Sequence, residues 1–244
     1  KERKRIYTLL GPQKIAEIFA YLDEPQIYFS ELSVKDASKV VSLMDSDDAV
    51  DVLETLDDKK KYEIVENLDK AAIKDVKMLL SYDDDEIGSC MTTNYICIPK
   101  GLSVRQAMSE LVRQAGTNDN ISTIYVLDES LKFAGAIDLK DLIIARKHDV
   151  LDDIIVHSYP SVTDHEKIDD CMEKIMDYSE DSIPVLSQDG HMLGVITSED
   201  IVEMVDNEMG EDYAKLAGLT AEEDLKETTV QSMKKRLPWL IILL

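Results

Sequence analysis

The sequence predicts a chain of two unlike parts, an all-α helical solenoid followed by an α/β tandem repeat, and three observations predict it. A short apolar-acidic motif returns every twelve residues before residue 87, and a twenty-residue block returns at a shift of 59 after it. Between them the texture changes from helical spacing to β-branched runs with glycine turns. A length of 244 residues also exceeds the roughly 100–200 of a single domain.

In the first part, Met44-Asp45, Leu56-Asp57 and Leu68-Asp69 each close a segment with apolar residues at helical spacing, such as Val50, Leu53 and Leu56 or Tyr62, Val65 and Leu68. Helices of about two to three turns follow, too short to be stable alone. Stacking their apolar stripes gives a helical solenoid, of a hand the pattern does not set.

In the second part, residues 124–143 align without gaps with residues 183–202, placing Gly135 on Gly194 and Asp141 on Asp200. Each copy reads strand, polar turn, strand, helix, and each follows a helical segment, 104–112 or 168–176. The result is a β-α-β-β-α unit, made twice.

Composition excludes several classes of function. Fifty acidic against 27 basic residues give a net charge of −23, a field that repels nucleic acid and attracts cations, so no nucleic-acid partner is expected. Cys90, Cys97 and Cys171 form no CxxC pair, which fits a reducing compartment. His148, His157, His165 and His191 have no zinc-site spacing. Without a phosphate loop, a nucleophile elbow or a paired catalytic motif, the chain reads as a non-enzyme.

Near the other end, Thr220 and Glu223 form a capping box for a helix running through Leu225, Val230 and Met233 toward Pro238. Lys234, Lys235 and Arg236 then precede Trp239 and the aliphatic run 240–244. A basic cluster, a tryptophan and an aliphatic run, in that order, predict entry into a membrane from the cytoplasm, with 239–244 as the start of a truncated first transmembrane helix. Lys1 in place of Met predicts that the numbering begins inside a longer protein.

Ile183-Pro184-Val185, Leu193-Gly194-Val195-Ile196-Thr197 and Ser198-Glu199-Asp200 resemble CBS motifs. The resemblance implies a pseudo-twofold pair that forms a homodimer, and a cleft that takes an adenine nucleotide such as ATP. Thr197 and Asp200 match the family's ribose-binding Ser/Thr-x-x-Asp, whereas the first copy has Asp138 where Ser or Thr is usual.

The whole order is similar to the MgtE magnesium channel family. The segment 46–53, the junction Tyr82-to-Thr92 with Gly88 and Met91-Thr92, and the run 208–212 carry that similarity. Ile87 and Ser179 depart from it, standing where the family commonly has Ala and an acidic residue. The resemblance implies an N domain at 1–87, CBS motifs at 88–150 and 151–210, and a connecting (plug) helix at 211–238 that leads to the chain's own pore domain. It further implies a location at the cytoplasmic face of the cell membrane, and Mg²⁺ sensing that closes the pore when Mg²⁺ binds between the N and CBS domains. The alternative is an adenine-nucleotide-binding CBS regulatory module of a membrane transporter.

Carboxylate spacing agrees with a cation sensor. Asp47 and Asp51 lie four apart on one helix face, Asp200 and Glu203 lie three apart, and Glu208, Glu211 and Asp212 repeat the spacing. Each is a like-charge patch that a bridging divalent ion converts from repulsive to attractive. Mg²⁺ suits them, being a hard cation that takes oxygen ligands and keeps waters. Asp47 and Asp51 are the candidates on the N-domain side; Asp141, Asp169, Asp177, Asp200 and Glu203 on the CBS side; Glu208, Glu211 and Asp212 on the approach to the connecting helix. For any single one of these acids, a solvated helix face is an equally good account.

Overall fold

The computed structural model describes residues 2–22, 24–118, 120–177, 180–202 and 204–205. Packing divides the chain after Thr197 into Lys1–Thr197 and Ser198–Leu244. In the second of these units, residues 198–202 and 204–205 are helical. The expected connecting helix at 211–238 and membrane entry at 239–244 lie outside the described residues. Among the described residues no helix is long and apolar enough to cross a membrane.

The first unit opens with the helices α1 (Glu2–Phe19), α2 (Pro25–Phe29), α3 (Val34–Val41), α4 (Ser46–Glu54), α5 (Asp58–Val65) and α6 (Ala72–Leu79). Gly11, at φ 76°, breaks α1 ahead of Pro12, which restarts it where no amide donor is needed. α1 packs on α3, α3 on α5 and α4 on α6, so alternate helices stack into the two rows of a solenoid. Phe19, Phe29, Val40, Leu53, Ile64 and Leu79 are buried, and their removal from water holds these short helices.

The twelve-residue repeat has a physical cause. α3, α4 and α5 start at 34, 46 and 58, immediately after Ser33, Asp45 and Asp57. Ser33 accepts a cap bond from the Asp36 amide at 3.2 Å, and Asp57 accepts one from Lys60 at 3.1 Å. Asp69 likewise takes the amides of Ala71 and Ala72 at 3.0 and 2.9 Å. Asp45 is the exception, making no cap bond and instead accepting from Asn94 Nδ2 at 2.9 Å.

The second part contains β1 (Ile96–Pro99), α7 (Val104–Gln114), β2 (Thr123–Leu127), β3 (Phe133–Asp138) and α8 (Leu139–Ile144), then β4 (Val162–Thr163), α9 (Ile168–Asp177), β5 (Ser182–Leu186) and β6 (Met192–Thr197). Each repeat makes a three-stranded sheet, β1-β2-β3 or β4-β5-β6, with a parallel first pair and an antiparallel second pair. The register keeps the sequence shift: Val126 faces Gly135 as Val185 faces Gly194. Between the sheets lie Tyr125, Ala136 and Val195, and the Tyr125 hydroxyl meets Ser182 Oγ at 2.7 Å.

The two repeats exchange their lead-in segments. Thr92, which leads into the first repeat, pairs with Val195 of the second through reciprocal 2.9 Å bonds. Val156, which leads into the second, pairs with Ala136 of the first at 2.8 and 3.2 Å. A Cβ on Gly194 would stand 2.7 Å from the Thr92 carbonyl, and one on Gly135 would stand 2.7 Å from the Val156 carbonyl. The aligned glycines are therefore where one repeat's backbone presses on the other's.

Gly194→Ala is expected to cost about 1–3 kcal/mol through overpacking. Gly135→Ala should cost more, because its φ of 146° also disfavours a side chain. Thermal unfolding measures both, and unchanged midpoints would show that the lead-in segments are not packed in this way.

Candidate functional site

The helical solenoid meets the CBS-like pair at two places, each built from segments distant in sequence. At the first, α4 and α6 approach the lead-in residues 92–94. Ser46 Oγ accepts the Thr93 amide at 2.9 Å and lies 3.2 Å from Thr93 Oγ1. Thr93 Oγ1 donates to Asp75 Oδ2 at 3.3 Å, and Asn94 donates to Asp45. Asp47, in the first turn of α4, completes this cluster. Its carboxylate accepts from the Thr92 side chain and from the amides of Asp47 and Asp48, while Oδ1 is buried without a partner.

Burial, with the nearby Asp45 charge second, pushes the Asp47 carboxyl from 3.8 up to about 6. Low dielectric and like charge both favour its neutral form, and the hydrogen bonds only partly offset them.

At the second place, residues 82–88 lie against the entry to the second repeat. Ile87 donates its amide to the Glu166 carbonyl at 2.9 Å, Gly88 to Asp164 at 2.8 Å, and Ile168 to Asp85 at 3.0 Å. The Tyr82 hydroxyl donates to Asp164 Oδ2 at 3.1 Å, and burial together with that carboxylate raises Tyr82 to about 12. Lys167 pairs with Asp85 at 2.6 Å and His165 with Glu86 at 3.1 Å. Those bonds hold the Asp85 carboxyl below its ordinary range; Glu86 is held down first by the Asp83 amide and then by His165. A Cβ on Gly88 would stand 2.6 Å from the Tyr82 ring, so only glycine lets that ring cover the junction.

The other expected residues are placed as follows. Asp51 lies one turn beyond Asp47 on α4, in an exposed position. Asp141 and Asp169 stand in the first turns of α8 and α9, and Asp177 closes α9. Thr197 ends β6 in the first unit, and Asp200 is a helical residue of the second. Asp138 caps α8, accepting the Lys140 amide at 2.6 Å. Glu203, Glu208, Glu211 and Asp212 lie outside the described residues. Among the described residues, no three His, Cys, Asp or Glu side chains gather closely enough to hold a metal ion. Helix periodicity finds Asp47 but misses Asp45, Asp75, Thr93 and Asn94; of these only Asp45 has a sequence signal, its place in the twelve-residue series.

The raised Asp47 carboxyl gives stability a definite pH dependence in metal-free buffer. The folded form holds this proton more tightly than the unfolded form, so its contribution is fully present below about pH 4 and is lost as pH rises through about 6. Asp47→Asn is therefore expected to be more stable than the parent at pH 7 by about 1–3 kcal/mol, the gap closing near pH 4. Equal differences at both pH values, measured by denaturant unfolding in chelator, would contradict this.

Residues 1–85 match the family model of the MgtE intracellular N domain, and residues 86–148 and 151–207 match the CBS domain. The whole chain aligns with magnesium transporter MgtE of Enterococcus faecalis at 34% identity and of Bacillus subtilis at 27%, covering 54% of each. It thus spans about half the length of the curated relatives it matches. Among solved structures, the soluble part of a magnesium transporter superposes with TM-score 0.80 at 31% identity, over 84% of this chain and 82% of that one. The cytosolic domain of the Mg²⁺ channel MgtE in complex with ATP superposes with TM-score 0.76 at 26% identity, over 83% and 84%. With its helical N domain and its CBS pair in this order, the chain belongs to the MgtE family.

Proposed function

We propose that this chain is the cytosolic Mg²⁺-sensing part of a magnesium channel or transporter, docking its N domain on the CBS pair when Mg²⁺ is abundant and so closing the pore. It works at the cytoplasmic face of the cell membrane, joined to its own pore domain and paired with a second copy through the CBS motifs. The N domain at 1–87, the CBS motifs at 88–150 and 151–210 and the plug helix at 211–238 are its working parts. The role is regulatory, not catalytic. One observation carries the proposal: Asp47 brings a carboxylate with a buried, unpartnered oxygen to the face where the N domain meets the CBS pair.

That donor suits a hard, partly hydrated cation, because a carboxylate oxygen desolvated beside Asp45 is short of positive charge. The lack of a three-ligand cluster among the described residues fits weak sites that keep several waters. Asp47 and Asp51 would hold the ion on the N-domain side, with Asp141, Asp169, Asp177, Asp200 and Glu203 on the CBS side and Glu208, Glu211 and Asp212 toward the plug helix. A bound divalent ion supplies positive charge between like-charged surfaces. Without it, the desolvation of Asp47 works against docking. A near-complete switch needs about 10⁴-fold preference for the docked state, which several weak sites can share.

Small-angle scattering and protease protection, followed as Mg²⁺ is raised at constant ionic strength, are expected to show compaction that Asp47→Ala with Asp51→Ala abolishes. No change in either measurement would sink the sensor. A second reading, adenine-nucleotide binding, is favoured by the similar cytosolic domain solved in complex with ATP. Thr197 and Asp200 would hold the ribose; in the first copy the residue equivalent to Thr197 is Asp138, which caps α8. Saturable ATP binding lost in Asp200→Ala is expected, and binding unaffected by that change removes Asp200 from the site.

A further inference from the structure

We infer that residues 82–88 are a fixed pivot for the N domain, and that Asp45 is a two-position latch which either holds Asn94 or caps α4. The inference rests on the proposed magnesium response for its trigger, though not for its mechanics.

The two junctions differ in the kind of bond that holds them. At the pivot, main-chain amides of Ile87, Gly88 and Ile168 are committed across the junction, Ile87 is fully buried and the Tyr82 ring covers Gly88. Such bonds open only when the backbone itself moves, which places them at the stable end of local opening. At the latch, the bonds described between the N domain and residues 93–94 use a side chain as donor, acceptor or both: Asn94 to Asp45, Thr93 to Ser46 through its amide and its hydroxyl, and Thr93 to Asp75. Rotations about χ angles release these bonds without moving either backbone.

Asp45 gives the latch a second stable position. It occupies the N-cap of α4, in the register where Ser33 caps α3 and Asp57 caps α5. Turned to Asn94 it leaves its cap undone, and the Asp48 amide that a cap would take bonds the Asp47 carboxylate instead. When the latch opens, Asp45 recovers its cap bond and Asp47 is relieved of both that amide and its burial. Opening therefore returns a cap bond to α4 and ends the burial of Asp47, offsetting part of what the latch bonds contribute, so that a bias such as ion binding can shift populations. The N domain then swings about residues 82–88, still tied to the second CBS motif.

Site-resolved amide hydrogen exchange on the full chain tests this, with the Thr93 amide reporting the latch and the amides of Ile87, Gly88 and Ile168 reporting the pivot. Asn94→Ala, and separately Thr93→Val, are expected to speed Thr93 exchange by about tenfold and leave the three pivot amides unchanged. Chelating Mg²⁺ should do the same to the parent. Pivot amides that lose protection together with Thr93 would overturn the inference, as would a Thr93 amide indifferent to both substitutions. If chelation alone changes nothing while the substitutions act as stated, the magnesium response fails and the pivot and latch stand.

Discussion

The antiparallel pair between Thr92 and Val195 is the contact on which the rest of the arrangement depends. It takes the segment that leads into the first CBS motif and fastens it to the second, with Gly194 leaving room for the Thr92 carbonyl. Once Thr92 is held there, Thr93 and Asn94 project to α4 and α6, and the N domain meets the CBS pair at the seam between its repeats. The reciprocal pair, Val156 with Ala136 at Gly135, makes that seam symmetric. Each repeat's sheet thus holds the other's lead-in segment.

Charge is distributed unevenly over the two junctions. Residues 82–88 are acidic, but Lys167 and His165 answer them across the contact. Around α4 the donors described to Asp45, Asp47 and Asp75 are neutral: Thr92, Thr93, Asn94 and backbone amides. Neutral donors offset desolvation less well than a counter-ion does.

Much of the fold was legible because its signals are local. The twelve-residue series marks the start of one short helix after another, since the same residue types that stop one helix cap the next. The shift of 59 fixed the repeat and even its strand register, because alternation ties each residue to a sheet face. Asp47 was legible as one of two acids on a helix face. Its burial was not, and neither were the partners that give it meaning: Asn94 lies 49 residues from Asp45, and Asp164 lies 82 from Tyr82. Helix spacing also says nothing of whether different helices come together; Asp141 and Asp169 each stand in the first turn of a different helix.

By itself the sequence determined that the first part is helical with a twelve-residue repeat, that a β-α-β-β-α unit occurs twice, that the chain is strongly acidic, and which family motifs it carries. These follow from periodicity, capping chemistry and composition, all of which act over a few residues. Tertiary structure alone decided that the lead-in strands are exchanged, that Asp45 leaves its cap for Asn94, and that Asp47 is desolvated while Asp51, one turn away, stays exposed. The reason is that burial and hydrogen-bond partnership depend on what a distant segment places against a side chain, and no local spacing carries that information.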